Sequence, residues 1–133
     1  MPRTDLPLEI QELFFDFHWD APRLYALQAE VEMEQVQRLT AAMDLPIWQR
    51  RPDQVVFDLR PREVLDEPTA HPDHDRRIEQ ADLNYPLLMM KNRRGDWTIM
   101  DGYHRLAQCI RKDIKTVNVI RLPRTAIQQI QKP

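Results

Sequence analysis

Residues 99–106 read Ile99-Met100-Asp101-Gly102-Tyr103-His104-Arg105-Leu106, or IMDGYHRL. This stretch decides the fold because the period of the hydrophobic pattern changes inside it. Trp97-Thr98-Ile99-Met100 is an apolar, β-prone run. After Gly102, residues Tyr103, Leu106, Ala107 and Ile110 recur at i, i+3, i+4 and i+7, which is one face of a helix. Asp101-Gly102 is therefore the joint between a strand and a helix.

Working outward, Pro86 leads into the apolar run Leu87–Met90, and KNRRGD at 91–96 reads as a hairpin turn back into Trp97–Met100. Downstream, the helix stops near Lys112-Asp113, Thr116–Leu122 alternates as a strand, and Pro123 ends it. Upstream, Asp73–Leu83 reads as a helix with Asp73 as cap, acidic residues in its first turn, and Ile78 and Leu83 facing inward. A helical turn is expected through Glu63, Val64 and Leu65, and a strand over Val55–Leu59. Asp44–Trp48 breaks the pattern as a short extended piece. Asp20-Ala21-Pro22 looks like a helix start, and Leu24, Leu27, Val31, Met33 and Val36 carry that helix to about Ala42. Leu13, Phe14, Phe15, Phe17 and Trp19 form an aromatic cluster that needs a partner surface, the core or another subunit. TAIQQIQ closes the chain as a short amphipathic tail. The expected order is helix, strand, helix, hairpin, helix, strand. This is a small α+β fold with a mixed sheet, an N-terminal helical extension over 1–44 and the main domain over 45–133.

The chain has 133 residues, 42% of them hydrophobic, enough for a core without staples. Its net charge of −2, from 19 basic and 21 acidic residues, argues against a protein held on DNA mainly by electrostatics. The single cysteine, Cys109, excludes an internal disulfide and reads as a core or near-core residue. No apolar run approaches the roughly 20 residues of a membrane helix, and MPRTDLPLEIQ does not read as a signal peptide. A cytoplasmic setting with no membrane partner is expected. There are 11 prolines and two glycines, Gly95 and Gly102, so each glycine is expected to have a backbone reason.

IMDGYHRL has two chemical readings. It is a polar turn, with Asp101 capping a helix and Arg105 on the surface. Alternatively, it holds a phosphate. A helix start leaves N–H groups unpaired, Gly102 lets the backbone approach an anion, Arg105 offers a bidentate guanidinium, and His104 an imidazole N–H or a charge. Asp101 could cap the helix, hold Arg105 or bind a metal that neutralises phosphate. No Walker loop, GxGxxG, CxxC or HExxH motif is present.

The run from Tyr85 to Leu122, with DGYHRLA at its centre, resembles the ParB/sulfiredoxin-like superfamily. DLRPREVL at 58–65 resembles the first box of that family, and the likeness covers residues 53–122. The resemblance implies a nucleotide site for ATP, ADP or CTP, with Mg²⁺. In it Gly102, His104 and Arg105 contact phosphate and Asp101 neighbours them. Two departures matter. The helix-turn-helix domain of partition proteins does not follow Leu122, and the sulfiredoxin cysteine is replaced by Tyr103, which forms no thiolate. For phosphotransfer, Glu63 and Glu67 are the candidate carboxylates beside Asp101, in segments the family fold brings toward the nucleotide.

Other residues invite weaker readings. His71, His74 and Asp75 with His104 suggest a divalent metal, against a plain helix start capped by Asp73. Arg50, Arg51, Arg60, Arg62, Arg76, Arg77, Arg93 and Arg94 are surface charges unless some converge on the helix start. Trp48, Trp97 and Tyr85 could stack on a base. The function expected is nucleotide binding, with phosphotransfer or hydrolysis as its catalytic form. The alternative is a non-catalytic protein- or nucleic-acid-binding module. A homodimer through the N-terminal stretch is a further expectation.

Overall fold

The computed structural model describes residues 30–51, 53 and 56–126. The aromatic cluster at 13–19, the helix start at 20–22 and most of the TAIQQIQ tail lie outside them. Strand β1 is Val31–Gln35, followed by a 3-10 helix at Val36–Asp44. Helix α1 is Pro61–Asp66, a 3-10 turn occupies Pro68–Ala70, and α2 is Pro72–Glu79. The hairpin β2 (Leu87–Lys91) and β3 (Trp97–Asp101) leads into α3 (Tyr103–Arg111), then β4 (Thr116–Leu122) and a last 3-10 turn at Arg124–Ala126.

The four strands form one mixed sheet in the order β1-β4-β2-β3. β1 pairs antiparallel with β4, β2 antiparallel with β3, and β2 parallel with β4. The parallel pair needs a crossover, and α3 supplies it. Leu87, Met89, Ile99, Val117 and Val119 project from the sheet into the same core as Leu106, Ala107 and Cys109 of α3, Ile78 of α2 and Val64 of α1. Leu88, Met90, Ile120 and Leu122 alternate with them and are buried as well. This is why β2 reads as a continuous apolar run and not as an alternating one.

The hairpin is shaped by the buried Asn92. Its Nδ2 donates to Thr98 Oγ1 at 2.7 Å, and its Oδ1 accepts from the backbone N–H groups of Arg94 and Asp96. Gly95 takes φ +83° in that turn. At the far end of α2, the buried Gln108 of α3 donates to the carbonyls of Ile78, Glu79 and Ala81 at 2.9, 3.2 and 2.9 Å. Ile78 and Glu79 carry the last carbonyls of α2, and Ala81 follows just past its end.

Several elements differ from the sequence reading. The helix expected to continue to Ala42 is, from residue 31, a strand and a 3-10 helix of the main sheet and core. VEME alternates as well as it fits a helix, and pairing with β4 decides the matter. Arg121 of β4 fixes the choice by bonding to both Glu32 and Glu34. The strand expected over Val55–Leu59 is reduced, in its described part, to one bridge between Leu59 and Trp48. Helix α2 ends at Glu79, short of Leu83, where Gln108 collects its carbonyls. Its N-cap is His71, with Pro72 in the first position, and Asp73 pairs with Arg76 at 2.6 Å instead of capping. No helix among the described residues is long and apolar enough to cross a membrane.

Candidate functional site

The first turns of α2 and α3 open on one cleft of about 390 Å³. Its walls are His71, Pro72, Asp73, His74 and Arg77 from α2, and Met100, Asp101, Gly102, Tyr103 and His104 from the β3–α3 joint. Ile47, Trp48, Gln49, Arg50 and Phe57 close the third side. The N-terminal turns of two helices therefore border the same space, although Pro72 brings no N–H to it and the His71 N–H is bonded to the Pro68 carbonyl.

A ring stack forms the floor. The Trp48 indole lies 4.6 Å from His74 and 4.2 Å from His104, at interplanar angles of 5° and 12°. The two imidazoles are side by side, with centroids 5.4 Å apart and planes 13° apart. His74 Nδ1 and His104 Nε2 approach to 3.1 Å. The difference between these distances is about what two ring radii account for, so the nitrogens meet head-on in a single hydrogen bond. His74 Nε2 lies 2.9 Å from the Gln49 carbonyl. A carbonyl only accepts, so His74 Nε2 carries the proton and Nδ1 the lone pair. His104 Nε2–H must then be the donor across the pair, and His104 Nδ1 is left with a lone pair.

Burial first, then Arg77, His74 and Arg105, pushes the His104 pKa down to about 3. Burial likewise lowers that of His74 against the opposing hydrogen bond to Gln49, with Arg77 and His71 adding to the decrease. Both rings are neutral at pH 7. His104 thus enters the cleft as an acceptor, with its one N–H committed to His74, and not as the cation or donor the sequence suggested.

The cleft brings together Asp101, Gly102 and His104. Gly102, the N-cap of α3, has φ +113°. A Cβ there would stand 2.6 Å from Leu87 Cδ2. The glycine is explained by the close approach of β2 and the left-handed backbone, before any anion is considered. Arg105 is not in the cleft wall. Its Nη1 donates to the Pro86 carbonyl at 3.2 Å, lies 3.9 Å from Asp101 Oδ2, and its guanidinium sits over Tyr85 at 5.6 Å. Glu63 and Glu67 line a neighbouring hollow of about 420 Å³ that shares Arg50, Ala70 and His71 with the cleft. Glu63 Oε2 accepts from the Arg60 N–H in a capping box, and Oε1 pairs with Arg50 at 3.0 Å. That backbone bond first, and Arg50 after it, lower its pKa.

Tyr103 donates its hydroxyl to the Ile99 carbonyl at 2.9 Å, and burial raises its pKa, so it stays a phenol. Cys109 is buried in the core and its thiol is pushed up by burial. Asp75 points to Arg111 at 2.8 Å, away from His71 and His74. Among the described residues, no group of three or more His, Cys, Asp or Glu side chains could hold a metal ion. Of the candidate stacking rings, Trp48 is already covered by the two histidines. Trp97 and Tyr85 are exposed and lie away from the cleft.

The sequence reading missed the combination of Trp48, His74 and His104, and the role of Arg77. Arg77 lines the cleft and has no hydrogen bond or ion pair among the described residues. Its signal was the three-residue spacing from His74, which puts both on one face of α2. No family model, curated protein or solved structure matches the chain.

Proposed function

We propose that the chain is a nucleotide-binding domain of the ParB/sulfiredoxin-like kind, and that the cleft between α2 and α3 receives the phosphates of ATP, ADP or CTP with Mg²⁺. The observation that carries this reading is the convergence of Arg77 and two helix starts on one cleft. Backbone N–H groups and an uncommitted guanidinium are the donors an oxyanion needs. Arg77 takes the part the resemblance gave to Arg105, which braces the strand–helix joint through Pro86 and Asp101. Asp101, which lines the cleft beside Arg105, is a carboxylate that would meet a phosphate-bound Mg²⁺.

The reading favours binding over phosphotransfer. Glu63 is held ionised by a cap and an arginine, Glu67 faces the neighbouring hollow, and His104 is too weak a base to take a hydroxyl proton at pH 7. Calorimetry with ATP, ADP and CTP, with and without Mg²⁺, tests it. At least one nucleotide should bind, and Arg77→Ala should weaken that binding about tenfold or more. Absence of heat with all three nucleotides overturns the reading.

A second reading, a nucleic-acid-binding module, has one observation in its favour. Trp97 is exposed on a hairpin that also carries Lys91, Arg93 and Arg94, with Lys91 Nζ 5.6 Å from the ring. Retention of single-stranded RNA that falls steeply with salt, and that Trp97→Ala abolishes, would support it.

A further inference from the structure

The lone pair on His104 Nδ1 has a direction and an address. The chain from the Gln49 carbonyl through His74 to His104 fixes the tautomer, and the Trp48 indole holds both rings in plane. No hydrogen bond is made to Nδ1, yet the one buried side-chain nitrogen or oxygen left without a partner among the described residues is Arg111 Nη2. His104 Nδ1 is therefore reached by solvent, and His104 lines the cleft. A cleft lined by Arg77 and by the carboxylates of Asp73 and Asp101 thus also holds a fixed neutral acceptor, His104 Nδ1.

We propose that His104 Nδ1 accepts a proton-bearing oxygen of the bound anion, so that the cleft takes a phosphate carrying its own O–H and discriminates against sulfate. The inference rests on the reading of the cleft as a phosphate site. Sulfate and hydrogen phosphate share shape and charge. At pH 7 every inorganic phosphate species carries at least one proton and sulfate carries none. An oxyanion without a proton sets lone pair against lone pair at Nδ1, whereas hydrogen phosphate makes a hydrogen bond there. The O–H is that of free hydrogen phosphate, or of a terminal nucleotide phosphate protonated in the absence of Mg²⁺, whose second pKa lies close to neutrality; Mg²⁺ on the nucleotide removes that proton.

The test uses the full chain at pH 7 and titrates inorganic phosphate and sulfate separately. Phosphate should bind about tenfold or more tightly than sulfate. His104→Gln can keep a bond to His74 but has no acceptor at the δ position, so it should bring the two affinities together. Nitrogen-15 NMR of the wild-type histidines should find His104 protonated on Nε2 and bare on Nδ1, a readout independent of whether the variant folds. Competition with ATP separates the two sources. Displacement of bound phosphate assigns the site to the nucleotide's terminal phosphate, and none assigns it to free phosphate. Equal affinity for phosphate and sulfate, or a proton on His104 Nδ1, overturns this inference alone. Failure of both anions and of ATP to bind overturns the reading of the cleft as well.

Discussion

Helices α2 and α3 are joined by polar contacts at both ends, and the two junctions are built on opposite principles. Toward their C-terminal ends, Gln108 collects three backbone carbonyls, and Arg111 reaches Glu79, the last residue of α2, at 2.7 Å and back to Asp75 in its first turn at 2.8 Å. The carbonyls and carboxylates there have donors, although one buried donor, Arg111 Nη2, has no partner. At their N-terminal ends, His74 and His104 share one proton between two facing nitrogens, and the sequence of bonds stops at an open lone pair beside Arg77. The first junction satisfies its acceptors and stabilises. The second leaves donors and an acceptor facing a cleft. Polar burial alone does not mark a functional site; an unfinished sequence of hydrogen bonds, oriented by finished ones, is the better mark.

The contrast can be broken at the closed end first. Gln108→Leu keeps the volume but removes the donor from three carbonyls, and should cost about 3 kcal/mol in urea unfolding. A cost below about 1 kcal/mol would mean that water takes over the carbonyls and that the junction is not closed. At the open end the effect is conditional on pH. Both imidazoles have folded pKa values below the ordinary 6.5. Above pH 6.5 they are neutral in the folded and unfolded chain alike. As pH falls below 6.5 the unfolded chain takes up protons that the folded chain refuses, so stability declines. His104 alone accounts for about 2 kcal/mol of loss by pH 5. The carboxylates with lowered pKa values, Glu34, Asp44, Glu63 and Glu79, add their losses only below about 4.5. A pH series of urea midpoints should therefore fall between 6.5 and 5 in the wild type and much less in His74→Gln/His104→Gln.

Two smaller effects sharpen the comparison. Arg111→Met should cost about 1 kcal/mol or less, because Asp75 and Glu79 are exposed enough to hydrate and Arg111 Nη2 is buried without a partner. Calorimetric melting would show whether that pair of bridges is worth more. Arg77→Ala should change stability by no more than about 0.5 kcal/mol while removing anion binding. A large loss of stability would show that Arg77 belongs to the fold and not to the cleft.

The legible part of the chain was the part where local period and global position agree. The hairpin 87–101 has a continuous apolar run closed by a polar turn, β4 and α3 have repeats of two and 3.6, and the α3 start at Gly102 was set by a period change. Val31–Gln35 was not legible, because its spacing suits either element and the deciding partner, Arg121, stands about ninety residues away. The end of α2 was hidden for the same reason, since Gln108 lies far along the chain from Glu79. Of the candidate site, Asp101, Gly102 and His104 were found because they are contiguous. His74 was joined to His104 only as a metal ligand, and Arg77 was one of many arginines that could converge on the helix start; Trp48 was not assembled with them, because no local pattern joins residues from a bridge, a helix and a loop. Arg105 was misplaced for a simpler reason. Its guanidinium is drawn to the Pro86 carbonyl, Asp101 and the Tyr85 ring, none of which a local pattern announces.

The ring stack also makes this protein its own indicator. Trp48 is buried against two imidazoles, while Trp97 stands in solvent. A neutral imidazole in contact with an indole leaves its emission largely intact, and an imidazolium quenches it. Protonation of either histidine, or a movement of the rings off the indole, is therefore read by the Trp48 emission, without a label.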